Sequence, residues 1–164
     1  MALIKLNDQS LTNVTSAGLP SGTVLQVVQD TELTGLTTTS TSFADNAGLS
    51  INITPSSTSS KILILVQFGI FTTNSWSGGI AYYTLFRDST NLGDSTNGAI
   101  ASYTNVSGGH TNSGCINYLD SPATTSQVTY SMQMRTNNAS YSIGTGTYNA
   151  GNGINSITAM EIAG

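Results

Sequence analysis

The 164-residue chain carries four basic and eight acidic side chains, so only 7% of it is charged, against roughly a quarter in ordinary soluble domains. A net charge of −4 with so few cations excludes a phosphate-neutralising nucleic-acid footprint and leaves nothing to steer an acidic substrate. Ser, Thr, Asn and Gly take the surface positions, and such short neutral side chains lose little rotamer entropy on contact, which suits repeated protein contact in a multimer.

The length allows one domain with a core, and 38% apolar residues with low charge do not fit the disorder signature. Residues 1–22 hold three short apolar groups, Leu3–Leu6, Leu11–Val14 and Ala17–Leu19, and end at Pro20-Ser21-Gly22. They read as an extended docking arm, with Leu3, Ile4, Leu6 and Leu11 as its partner-docking residues, ahead of a β-sandwich domain over 23–164. The opening residues have no apolar run long enough for a secretory signal, and the longest run, Ile62–Val66 extended by Phe68 to Phe71, falls short of the roughly 20 residues that span a bilayer. The chain is expected to be soluble and not secreted by the ordinary route.

From residue 23 onward no window reads as a helix, and β-branched segments alternate with Gly, Asn, Ser and Pro clusters. Thr23–Gln29 is a first strand and Thr-rich Gly35–Phe43 an edge strand. Leu49–Thr54 alternates, with Leu49, Ile51 and Ile53 on one face. After a loop from Pro55 to Ser60, Lys61–Phe71 is a central strand whose near-continuous apolar run predicts cover on both faces, one by the core and one by a neighbouring subunit. Asn74–Gly79 is a loop, Gly79–Arg87 a strand, Asn91–Gly98 a polar turn and Ala99–Val106 a strand. A loop opens at Gly108–Gly109, then Gly114–Leu119 and Gln127–Arg135 are strands flanking a loop around Pro122, the latter with Val128, Tyr130, Met132 and Met134 on one face. Tyr141–Ile143 is short, Gly144–Gly153 a Gly-rich loop, and Ser156–Ile162 a last strand pinned inside a sheet, with Ile157 and Ile162 in the core. Eight to ten such strands make an all-β, antiparallel, jelly-roll-like sandwich.

Candidate sites are few. His110 is the only histidine and Cys115 the only cysteine, so an internal disulfide is ruled out. No G-x-S-x-G elbow or Cys/His cluster accompanies His110, and it reads as a loop or interface residue; a metal at His110 would need three copies on a threefold axis. Cys115 reads as a small buried hydrophobe. The segment Arg87–Gly98 repeats DSTN at Asp88 and Asp94 but lacks EF-hand spacing and its closing Glu, so Asx turns explain it. The scattered acids, with Glu161 alone in the last strand, do not form the carboxylate pair of a glycosidase. Tyr82 and Tyr83 point to opposite faces of their strand, one of them into the core. Trp76, in a Ser/Gly loop, is the candidate for a glycan contact. No catalytic, cofactor-binding or metal-binding residue is assigned.

Four stretches, MALIKLNDQSLTNVTSAGLPSGTVLQVVQ, ITPSSTSSKILILV, YLDSPATTSQVTYSMQMR and SITAMEIAG, together resemble small virion structural proteins of tailed phages, especially those of cyanobacteria and other aquatic bacteria. Similar blocks recur in tail-fibre, appendage and capsid-decoration proteins. The resemblance implies a trimeric sandwich of the tumour-necrosis-factor and C1q type. It defines no active site and carries over no functional residue. It implies a non-enzymatic decoration or appendage protein at the virion surface, without a cofactor, partnered by its own copies and by other capsid or tail proteins. The alternative is a tail-fibre or receptor-binding module that recognises host cell-surface glycans.

Overall fold

The structure is a computed structural model that describes residues 19–44, 47–73, 78–104, 110–146 and 153–164. The described residues form strands and no helix. They are β1 (Val24–Glu32), β2 (Thr37–Thr38), β3 (Ser50–Ile53), β4 (Lys61–Thr73), β5 (Gly79–Arg87), β6 (Thr90–Asn91), β7 (Ile100–Thr104), β8 (His110–Asp120), β9 (Val128–Thr136), β10 (Ser142–Thr145) and β11 (Asn155–Ile162).

All pairings are antiparallel. In the first sheet β11 lies between β1 and β4, and β8 flanks β4 on its other side. β4 is long enough to change partners, pairing with β11 over Lys61–Gln67 and with β10 over Ile70–Thr73, where β2 adds a short edge. The second sheet runs β3-β9-β5, with β6 and β7 sharing the far side of β5. Setting aside the two-residue β2 and β6, and β10, which continues the β11 side of β4, the remaining eight strands order first–eighth–third–sixth and second–seventh–fourth–fifth. That is the double Greek key of a jelly roll, so the chain is an all-β sandwich.

The period-2 pattern places the core. Leu49, Ile51 and Ile53 face Val128, Tyr130, Met132 and Met134 in the second sheet, and Ile62, Ile64, Val66 and Phe68 oppose them from β4; all are buried. Phe68 and Tyr83 pack at a centroid distance of 4.9 Å. Of the tyrosine pair, Tyr83 is the core member: its hydroxyl donates to the Gly144 carbonyl at 2.7 Å, and burial pushes its pKa up. Tyr82 lies on the outer face of the second sheet, 4.2 Å beneath the Arg135 guanidinium. Where β10 and β11 part along β4, Asn155 fills the gap: its Oδ1 accepts from Gly69 N at 3.0 Å and its Nδ2 donates to Glu32 O. Gly69 is obligatory there, because a Cβ would collide with the Gly146 carbonyl.

Three expectations are corrected. Gly35–Phe43 is not one edge strand; only Thr37–Thr38 pairs, against β10, and much of the rest is held by side-chain turns such as those of Thr38 and Ser40. Ile162 is not in the core. It sits an odd number of residues from Ile157, so it faces outward, opposite Val24 and Lys61, while Ile157 is fully buried. Cys115 is exposed, because its neighbours Gly114 and Ile116 take the inward direction of an alternating strand. Of the expected arm, residues 1–18 lie outside the described residues. Its last residues are tied to the sandwich, Gly22 N donating to Ala163 O at 2.8 Å.

The acid expected to stand alone in the last strand, Glu161, is 1% exposed on the core side of β11. Gln26 Nε2 donates to its Oε2 at 2.6 Å, and the backbone N and hydroxyl of Ser56 both donate to its Oε1 at 2.7 Å. Burial raises the carboxyl pKa, but these hydrogen bonds outweigh it and the net shift is downward from 4.5. A lowered folded-state pKa contributes stability that is fully present above the unfolded value and lost as pH falls through the folded one. Urea unfolding is therefore expected to show stability falling below about pH 4.5, and Glu161→Gln to flatten part of that slope; an unchanged slope in the variant would sink the assignment.

Candidate interaction surface

The outer face of the first sheet departs from the usual antiparallel pattern, in which the side away from the core is polar. Register aligns one apolar row across four strands: Val27 of β1 opposes Met160 of β11, Met160 opposes Leu63 of β4, and Leu63 opposes Leu119 of β8. Leu65 extends the row on one side, and Val24 with Ile162 on the other. Val24, Val27 and Leu119 are 49%, 54% and 52% exposed, and Leu63, Leu65, Met160 and Ile162 are half-buried. Beyond the row the face turns neutral and polar through Gln29, Thr158 and Asn117, with Gln29 Nε2 donating to Thr158 Oγ1 at 3.0 Å. Lys61 is the charged residue at its rim, opposite Ile162.

The second sheet's outer face is dressed differently. Arg135 donates to the carbonyls of Thr96 and Thr41 and covers Tyr82, drawing the 91–98 segment and Phe43 over β5 and β9. Thr129 Oγ1 bonds to Asn52 Oδ1 on the open part. Among the described residues, the apolar band of the first sheet is thus the large uncharged surface without cover.

The chemistry-bearing residues do not converge. His110 opens β8, its Nε2 2.9 Å from Asn112 Nδ2, and Cys115 lies five residues further along the same strand on the exposed face. Asp94 Oδ1 accepts from the backbone N of Thr96 and Asn97, at 2.9 and 2.6 Å, so the DSTN segment is closed by an Asx turn. Those two bonds hold its carboxyl below the usual range. Arg87 Nη1 donates to both carboxylate oxygens of Asp120, at 2.9 and 2.8 Å, and the Tyr130 hydroxyl donates to its Oδ2 at 2.6 Å. This group pins the end of β8 in the first sheet to β5 and β9 in the second. Among the described residues no group of three or more His, Cys, Asp and Glu could hold a metal. Leu3, Ile4, Leu6, Leu11 and Trp76 lie outside the described residues. The band was not assembled from sequence; its signals were Leu63 and Leu65 at alternate positions in an apolar run, and Met160 and Ile162 in β11.

No family description and no curated protein matches the chain. Among solved structures, the chain is similar to one of infectious bursal disease virus, Gx strain, at TM-score 0.40 and 16% identity, over 100% of this chain and 37% of that one. It is also similar to one of the Gt strain of that virus (TM-score 0.36, 13% identity, 100% and 43% covered). A third is a mutant VP2 protein of the virus in derived T=1 particles (TM-score 0.34, 13% identity, 98% and 40% covered). The chain thus spans about two fifths of the length of the structures it matches.

Proposed function

We propose that the chain is a non-enzymatic virion structural protein of a bacteriophage, a homotrimeric capsid-decoration or compact appendage protein that stabilises the particle surface. The observation that carries this reading is the apolar band. Monomeric proteins rarely leave so continuous a row of Val, Met and Leu facing water, and the band's near-freedom from charge leaves little to desolvate when a neighbouring copy covers it. The jelly-roll strand order is compatible with the reading, being common to jelly rolls of many roles. In this reading Leu3, Ile4, Leu6 and Leu11 dock the trimer on other virion proteins, and three arms on one body hold through effective concentration.

Sedimentation at micromolar concentration is expected to give a mass of three chains or a multiple of three. Val27→Asp combined with Met160→Asp is expected to abolish that stoichiometry while leaving far-UV circular dichroism unchanged, since both side chains face outward. A burial cost of several kcal/mol per unpaired carboxylate corresponds to at least about 100-fold weaker association. Wild-type protein at 17.0 kDa, or a three-chain mass for the double variant, would overturn the trimer. Particles lacking the chain are expected to assemble but to lose DNA sooner on heating. Unchanged robustness with lost adsorption would favour the glycan-binding alternative and make Trp76 the first residue to replace.

A further inference from the structure

The outer face of the second sheet carries an open cleft of about 330 Å³, at the lower end of the roughly 300–1,000 Å³ of small-ligand pockets. Thr41, Ser42, Phe43, Ser95, Thr96 and Arg135 line it, and all six belong to the described residues. Arg135 builds the cleft. It stands directly across from Tyr82 in the pairing of β9 with β5. Its guanidinium lies 4.2 Å from the Tyr82 ring centroid and 5.3 Å from that of Phe43. Its Nη1 donates to the Thr41 carbonyl, and its Nε and Nη2 to the Thr96 carbonyl. One side chain therefore ties the two walls together. Each wall has an anchor of its own: Thr136 N donates to Ser40 O at 2.8 Å, and Asp94 and Gly98 exchange backbone bonds beneath Ser95 and Thr96. The walls are set before any ligand arrives, which lowers the cost of binding one.

We infer that this cleft binds a single neutral hexopyranose unit. The hydroxyls of Thr41, Ser42, Ser95 and Thr96 are on exposed residues and bond to no other described residue. Each can both donate and accept, as the hydroxyls of a sugar ring do. Half-buried Phe43, braced against Phe86 at a centroid distance of 6.4 Å, offers apolar surface to the C–H groups between those hydroxyls. The charges select a neutral sugar over an acidic one. A guanidinium has five N–H donors, and Arg135 spends four on the carbonyls of Thr41, Thr96 and Thr136. The one left on Nη2 serves a hydroxyl but cannot hold a carboxylate bidentately. Asp94 already sits in the field of Arg135 and opposes a second anion. The cleft lies on the second sheet and the apolar band on the first, so sugar binding does not depend on the trimer.

Saturation-transfer NMR on the full chain tests this, with the methyl glycosides of glucose, galactose and mannose as probes and methyl glucuronide as their acidic counterpart. At least one neutral glycoside is expected to receive saturation at its ring protons, with a Kd of about 1 mM, as befits a small ligand making few hydrogen bonds. Phe43→Leu keeps an apolar contact with Phe86 but removes the ring. Thr41→Val with Thr96→Val removes two hydroxyls and leaves the carbonyls that Arg135 holds. Each variant is expected to melt cooperatively and to cut the transferred signal at least tenfold, while Trp76→Ala leaves it unchanged. No transfer to any of the three neutral glycosides would overturn the inference, as would an undiminished signal in the folded double-valine variant. Stronger transfer to the glucuronide than to every neutral glycoside would overturn the neutral class. A signal lost in Trp76→Ala would place the sugar outside the cleft and overturn it too.

Discussion

Ile157→Asp is expected to leave no folded protein, whereas Ile162→Asp, five residues later in the same strand, is expected to fold. Ile157 is fully buried, with Asp30 of β1 opposite it on one side and Val66 of β4 on the other. An aspartate there must either stay charged in the core or bind a proton at neutral pH, and either course costs several kcal/mol. That is comparable with the whole stability of an ordinary domain. Ile162 faces outward with Lys61 opposite it, so an acid at that position stays hydrated and gains a cationic neighbour. Circular dichroism and thermal melting of the two purified variants check the contrast. A cooperative melt for Ile157→Asp, or an unfolded Ile162→Asp, would contradict the facing directions of β11.

Asp120→Ala is expected to cost about 2–4 kcal/mol in urea unfolding, below the roughly 3–5 kcal/mol of a fully buried pair, because the Arg87 side chain is 26% exposed and can rehydrate. Asp120 is buried and is the shared acceptor for the Arg87 guanidinium and the Tyr130 hydroxyl. Without it the guanidinium loses its counter-charge, and a hydroxyl with no exposure to water loses its acceptor. Tyr130→Phe removes one donor and leaves the ion pair intact, so it is expected to cost only about 1 kcal/mol. The ordering matters more than either value. If the two substitutions cost the same, the three side chains do not act as one clamp between the sheets.

How far the sequence carried depended on whether a feature was local. Gly79–Arg87 begins and ends as expected, and Val128, Tyr130, Met132 and Met134 are buried together, because strict alternation marks both a strand and its inward face. The placing of β11 within a sheet was legible from its Ile and Met content. Parity was misjudged where a segment was treated as one apolar unit: Ile157 and Ile162 are an odd number of residues apart, and Cys115 lies between two inward positions. The strand β8 begins four residues before the apolar segment that announced it, since His110, Thr111, Asn112 and Ser113 carry no apolar alternation and are held by pairing with β4. The Arg87–Asp120–Tyr130 clamp and the Glu161 site were beyond reach. Their partners are brought together only by the order of strands, as with Ser56 and Glu161, 105 residues apart. The band is of the same kind, since no stretch of chain contains its row.

The near-absence of charge on that row also sets how contacts through it respond to their surroundings. Attraction between charged surfaces accelerates encounter but weakens as ions accumulate. A surface of Val, Met and Leu gains nothing from steering and loses nothing to salinity. In the proposed assembly, copies meeting through it are expected to associate at the unsteered rate of roughly 10⁵–10⁶ M⁻¹ s⁻¹, with little dependence on salt. Persistence then resides in slow dissociation, and excluded salts such as sulfate strengthen the hold instead of loosening it.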